Sequence, residues 1–138
     1  MYLNDKIYDK IEKLCDKGNV YVEKLKFNEA IDCFKSALDL LPTPYYDWQA
    51  ATWICTSLGD VYFQLTYYEE AVKYLTEAQK CPDGLGNPFI CVRLGECFFE
   101  LGNMELSKEY LMQAYMLEGE EIFNDADPKY FECISALI

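Results

Sequence analysis

Apolar residues recur three and four positions apart along most of the chain. Ile31, Phe34 and Leu38 share one side of a helix, as do Val72, Leu75 and Ala78, with polar residues between them. The pattern predicts a chain of helices broken at a few fixed places. The first runs over about 4–24 with Asn4 as its cap. A second, capped by Asn28, ends near Leu41 before Pro42-Thr43-Pro44. A third starts near Asp47 and reaches Leu65, and a fourth covers about 67–80. The loop 81–87 interrupts the chain, and Pro88 opens the fifth helix from its first turn. Asn103 caps a sixth that reaches about Leu117. After a short acidic stretch, Asp127-Pro128 starts a last helix carrying Tyr130, Phe131, Ile134 and Leu137. An all-α fold is expected.

The helices repeat. Leu14 to Tyr21, Cys55 to Tyr62 and Cys91 to Phe98 align without a gap. Glycine is followed 12 residues later by a small residue, as in Gly18 to Ala30, Gly59 to Ala71 and Gly95 to Ser107. That residue is followed 7 later by Ala37, Ala78 or Ala114. Only the spacing between copies varies, with Gly59 coming 41 after Gly18 and Gly95 coming 36 after Gly59. Constant units on elastic connectors are rigid helical hairpins. Glycine and alanine let the two helices of a hairpin approach, and Tyr21, Tyr62 or Phe98 fills the space beside them. Such a hairpin buries its apolar face only by stacking on its neighbours.

The pattern Leu58-Gly59-Asp60-Val61-Tyr62, with Ala30 to Phe34, Ala37 and the turn proline Pro42, resembles the tetratricopeptide repeat family over about residues 11–120. Some positions depart from it. Lys17 stands for the leucine of the first copy, Ser107 for the alanine of the third, and Gly119 where a turn proline is expected; Pro82 comes one residue early, and Leu14, Cys55 and Cys91 replace the early tryptophan. The resemblance implies a right-handed α-solenoid of three hairpins, at about 11–44, 47–83 and 88–120, with a capping helix at about 127–138, all in one domain.

Composition narrows the partners. The 138 residues carry 12 basic and 24 acidic side chains, a net charge of −12, which disfavours nucleic acid and anionic membranes. Residues 1–35 balance seven lysines against seven acids, so the excess lies beyond them. Such a surface either serves solubility or attracts a basic partner. There is no histidine, which removes imidazole bases and ligands. The seven cysteines form no Cys-x-x-Cys pair, and the start has no apolar signal core. A reduced, cytoplasmic protein with buried thiols is expected. No run reaches the ~18 apolar residues of a membrane span. The twelve tyrosines, among them Tyr2 and Tyr8, Tyr45-Tyr46 and Tyr67-Tyr68, are expected to be mostly half-buried packing residues with a wet hydroxyl.

In the family the first helix of each hairpin lines a concave groove. The resemblance places Glu12, Cys15, Asn19, Val22 and Glu23 there from the first copy, and Trp53, Thr56, Asp60, Phe63 and Gln64 from the second. The third gives Phe89, Val92, Glu96, Phe99 and Glu100, with Arg93 just beside. That set is acidic and aromatic and holds no basic residue. Family members that grip a C-terminal carboxylate use lysine, arginine and asparagine, so a basic segment with apolar or aromatic anchors suits this groove better. The rings of Trp53 and Phe89 alternatively pack between repeats. Reversing Asp60 and Glu96 to lysine together is expected to abolish binding and spare helicity.

No catalytic constellation stands out. Glu69-Glu70 reads as a charged helix start. Glu118 to Asp127 lacks a calcium loop, and Gly84-Leu85-Gly86 lacks the strand and third glycine of a nucleotide loop. No cofactor or metal is expected, and the chain reads as a non-enzymatic interaction module. The narrowest expectation is an immunity protein that neutralises a basic toxin domain. Small acidic bacterial repeat proteins of that kind carry stretches similar to Asp83–Phe89 and Met116–Phe123. A secretion chaperone that holds apolar cargo, or a peptide-binding scaffold, are the alternatives. The state expected is a monomer or weak homodimer.

Overall fold

The computed structural model describes residues 3–138; Tyr2 lies outside them. Seven α-helices are present among the described residues: α1 Asp5–Glu23, α2 Phe27–Asp39, α3 Gln49–Gln64, α4 Tyr68–Gln79, α5 Pro88–Glu100, α6 Met104–Glu118 and α7 Pro128–Ser135. No strand occurs among the described residues. None of the described helices is long and apolar enough to cross a membrane.

Four helix starts follow from side chains that accept from backbone N–H groups the helix leaves unpaired. Asn4 accepts from Lys6, Asn87 from Phe89 and Ile90, Asn103 from Leu106, and Asp127 from Lys129, at 2.8–3.2 Å. Asn28 is not a cap. Lys26 holds that position without a side-chain bond, and Asn28 falls inside the first turn of α2. Backbone closure sets this start instead. The N–H of Lys26 donates to Tyr21 at 2.8 Å, after Leu25 at φ 59°. The same closure recurs from Tyr67 to Tyr62 and from Asn103 to Phe98, each at 2.9 Å.

α1 packs on α2, α3 on α4 and α5 on α6, and each hairpin stacks on the next. Close packing explains the repeated glycines. A Cβ on Gly59 would lie 2.5 Å from the Leu75 side chain, and one on Gly95 2.6 Å from Leu111. Ser107 departs from alanine at no packing penalty, because its buried hydroxyl donates to the Gly95 carbonyl at 2.8 Å. One apolar cluster runs from Ile11 through Phe34, Ile54, Leu58 and Leu75 to Leu94. A second joins Val92 and Leu111 to Phe123, Tyr130 and Ile134 of the C-terminal segment.

The connectors are ordered by polar contacts. Residues 45–47 form a short 3-10 turn, so α3 begins at Gln49 rather than Asp47. Trp48 is buried and donates its indole N–H to the Pro42 carbonyl at 3.0 Å. The hydroxyls of Tyr45 and Tyr46 both donate to Glu77 of α4, at 3.0 and 2.6 Å. The acidic stretch after α6 is a 3-10 turn, Glu120–Phe123, whose Phe123 enters the core. α7 is shorter than the pattern predicts, and Leu137 and Ile138 lie beyond it, exposed.

Candidate functional site

α1, α3 and α5 supply the predicted groove residues, and the structure divides them. Glu12, Asn19, Glu23 and Gln64 are exposed, and Val22 is half-buried. Trp53 and Phe89 are partly exposed, at 37% and 40%. Thr56 is half-buried and donates to the Thr52 carbonyl at 2.6 Å. Phe63, Phe99, Asp60 and Glu100 are also half-buried. Cys15 and Val92, by contrast, belong to the core, and Glu96 is 1% exposed. These three are corrections to the predicted lining. The 3.6-residue period places them at the boundary of the groove face, and burial against the neighbouring hairpin decides their side.

The electrostatics depart further from expectation. Arg93, the sole arginine of the sequence, turns into the acidic set. Its Nε donates to Asp60 at 2.8 Å and a terminal nitrogen to Glu96 at 2.7 Å. Its guanidinium lies 4.4 Å from the centre of the Phe63 ring and 5.2 Å from that of Phe89. Burial works against the Arg93 charge, but Glu96 and Asp60 outweigh it and hold the group protonated, above its ordinary value. Burial pushes the Glu96 carboxyl up, with Arg93 opposing. Gln64 completes the cluster by donating to Asp60 at 3.0 Å.

A second cation closes the next position. Lys129 of α7 contacts Glu100 at 2.6 Å and lies 5.5 Å from the Phe99 ring centre and 5.3 Å from that of Tyr130. Tyr130 also donates to Glu100, at 2.8 Å. Burial raises the Glu100 carboxyl, yet the bonds from Lys129 and Tyr130 prevail and hold it below the ordinary range.

Three of the five groove acids are therefore paired within the chain itself, two of them sharing Arg93. The double reversal of Asp60 and Glu96 would put a lysine into a buried site beside Arg93, so it tests folding as much as binding. Sequence reasoning noted Arg93 only as a neighbour and missed Lys129 altogether. The signal for the first was its i,i+3 spacing to Glu96; the second sits on a different element, with no local signal.

No group of three or more potential metal ligands is found among the described residues. Burial pushes the Cys55 and Cys97 thiols to about 12 and Cys15 to about 11, so these are protonated packing groups.

Stacked antiparallel hairpins with a concave, ring-lined face define a helical-repeat interaction protein. The tetratricopeptide repeat family pattern matches residues 54–80 and 90–121. The chain carries tetratricopeptide repeats at these positions and is a right-handed repeat solenoid closed by α7. No curated protein matches in sequence. Among solved structures, the C-terminal repeat domain of a Plasmodium falciparum protein named for FK506 binding is 23% identical, with a TM-score of 0.80 over 99% of this chain and 93% of that one. The first repeat domain of Spaghetti (RPAP3), bound to the HSP90 peptide SRMEEVD, is 25% identical, with a TM-score of 0.74 over 94% of each chain. The Yersinia enterocolitica type III secretion chaperone SycD, in complex with a peptide of the translocator YopD, is 17% identical, with a TM-score of 0.73 over 94% of this chain and 92% of that one.

Proposed function

We propose that residues 1–138 act as a single three-repeat domain that binds an extended segment of another protein along its concave face, without catalysis. The carrying observation is the ring-lined centre, whose acids are paired within the chain. With Asp60 and Glu96 held by Arg93 and Glu100 by Lys129, the half-buried Phe63 and Phe99 and exposed Gln64 and Asn19 face a partner whose central residues are apolar. Contact there would come from ring packing and from displaced water. The groove residues of this reading are Glu12, Asn19, Glu23, Trp53, Thr56, Phe63, Gln64, Phe89 and Phe99. An acidic segment such as the HSP90 peptide bound by Spaghetti is disfavoured, because no cation of the groove is left uncommitted by its own carboxylates.

Holding an apolar cargo segment is the finer form of this reading, in line with the likeness to SycD, a secretion chaperone in complex with a translocator peptide. The immunity reading has one specific observation in its favour. The net charge of −12 would draw a basic toxin domain, chiefly through acids outside the groove centre.

Affinity capture identifies the partner, and calorimetry then measures its segment against the wild type and against Asn19→Arg and Gln64→Arg. Both sites are exposed, so the fold should survive. The expected result is at least about tenfold weaker binding, the effect of obstructing a central contact. Unchanged affinity in both variants would move the interface off the concave face. Binding that hardly changes with salt supports the apolar cargo; steep weakening supports the toxin partner.

A further inference from the structure

In this chain one arrangement recurs: a cation held between an aromatic ring and a carboxylate. Arg93 lies over Phe63 and Phe89 and is paired to Asp60 and Glu96. Lys129 lies over Phe99 and Tyr130 and is paired to Glu100. Toward the end of the groove formed by the 81–87 loop, the Trp53 ring and further carboxylates continue the pattern, and beyond Arg93 at Phe89 none of the chain's cations accompanies them. Trp53, Thr56, Ser57, Pro82, Asp83 and Asn87 line one hollow. Asn87, Pro88, Phe89, Glu118, Glu121 and Ile122 line the next, so Asn87 borders both. Trp53 and Phe89 are partly exposed, and no ion pair to Asp83, Glu118 or Glu121 forms among the described residues.

Local structure fixes these hollows. Thr52 donates to the Pro82 carbonyl at 2.6 Å and Gln49 to Asp83 at 3.2 Å, tying the loop to α3. Gly84 is buried where a Cβ would lie 1.8 Å from the Ala78 carbonyl oxygen, so the loop sits directly on the end of α4. The 3-10 turn 120–123, anchored by buried Phe123, brings Glu121 and Ile122 up to α5.

We infer that this edge binds two basic side chains of the partner segment, one on the Trp53 ring beside Asp83 and one in the neighbouring hollow beside Glu118 and Glu121, where Phe89 already meets Arg93. The partner supplies there the cation that Arg93 and Lys129 supply further along. A guanidinium on a flat ring with a carboxylate at its edge satisfies both its face and its N–H groups. The inference rests on the concave face being the binding surface and adds the partner's chemistry: an apolar stretch flanked on one side by a basic pair.

The test titrates the isotope-labelled full chain with a ten-residue synthetic peptide, leucine-rich in its middle with two arginines toward one end. The same peptide with citrulline for arginine, of equal shape but neutral, is the comparison. The arginine form is expected to bind at least about tenfold more tightly at moderate salt. Its chemical-shift changes should include the Trp53 indole and the Asn87 side chain. The triple change Asp83→Asn, Glu118→Gln, Glu121→Gln should erase the preference. A charge-matched control on the exposed side of α2, Glu29→Gln, Asp32→Asn, Asp39→Asn, should keep it. Equal loss in both triples would mean general attraction to an acidic protein and overturns the inference. Equal affinity for the two peptides, with shifts at Asn19 and Gln64, overturns it while leaving the groove reading intact. Failure of both peptides to bind at millimolar concentration counts against both.

Discussion

The centre of the groove and its edge are built from the same residue types and behave in opposite ways. At the centre, Asp60, Glu96 and Glu100 are closed off by Arg93 and Lys129. At the edge, Asp83, Glu118 and Glu121 stand on surface turns and helix ends without such partners among the described residues. The difference is one of dielectric. An acid with 1% exposure, such as Glu96, must be paired within the fold because its desolvation would otherwise be unopposed. Exposed acids meet no such demand, so they stay available. Net charge alone therefore says little about which acids a partner meets.

The largest effect expected is at the centre. Arg93→Met leaves Glu96 buried and unpaired, and a loss of about 3–5 kcal/mol follows in urea unfolding. Adding Glu96→Gln should restore a substantial part, since the uncompensated charge goes with it. If Arg93→Met alone were as stable as the wild type, the central cluster would not be the closed network described here.

Gly84→Ala comes next. Its Cβ would collide with the Ala78 carbonyl, and strain of about 1–3 kcal/mol is expected unless the loop shifts. Either outcome disturbs the edge, so the arginine preference should weaken while the spectrum around Arg93 is unchanged.

Acid separates the carboxylates by sign. Glu100 and Glu77 are held below their ordinary 4.5; for Glu77 the Tyr46 hydroxyl does most of this, with Tyr45 and Lys80 adding to it. Their stabilisation is present above that value and is lost as the pH falls through their folded values. Glu96 is raised, so its contribution runs the other way, being present at low pH and lost as the pH rises. The urea midpoint should fall on acidification below about pH 4.5, and Glu100→Gln should flatten that fall. An unaltered acid limb in Glu100→Gln would detach α7 from the account.

The smallest effect is at the edge. Glu118→Gln with Glu121→Gln should change stability by no more than about 0.5 kcal/mol, as surface changes do. A larger loss would show that these acids are structural and would remove the contrast with the centre.

Sequence and structure agree where the information is local. Caps at Asn4, Asn103 and Asp127 were legible because each needs only its own side chain and the next turn. Asn28 misled for the same reason: it is a good cap type, but the backbone bond from Lys26 to Tyr21 had already started the helix. The side of the groove boundary on which Cys15, Val92 and Glu96 fall depends on the neighbouring hairpin, and helical period alone does not resolve it.

The chain's own pattern determined seven helices, their pairing through glycine and alanine, and an array that buries apolar faces by stacking. Those follow from short-range periodicity and small-residue spacing. Tertiary structure alone decided where the charge goes. Lys129 meets Glu100 from a different helix, past the whole of α6, and Asp83, Phe89 and Glu121 come to one edge only when the 81–87 loop and the 120–123 turn dock. Electrostatic pairing depends on distance in space, and no local run of residues encodes that distance.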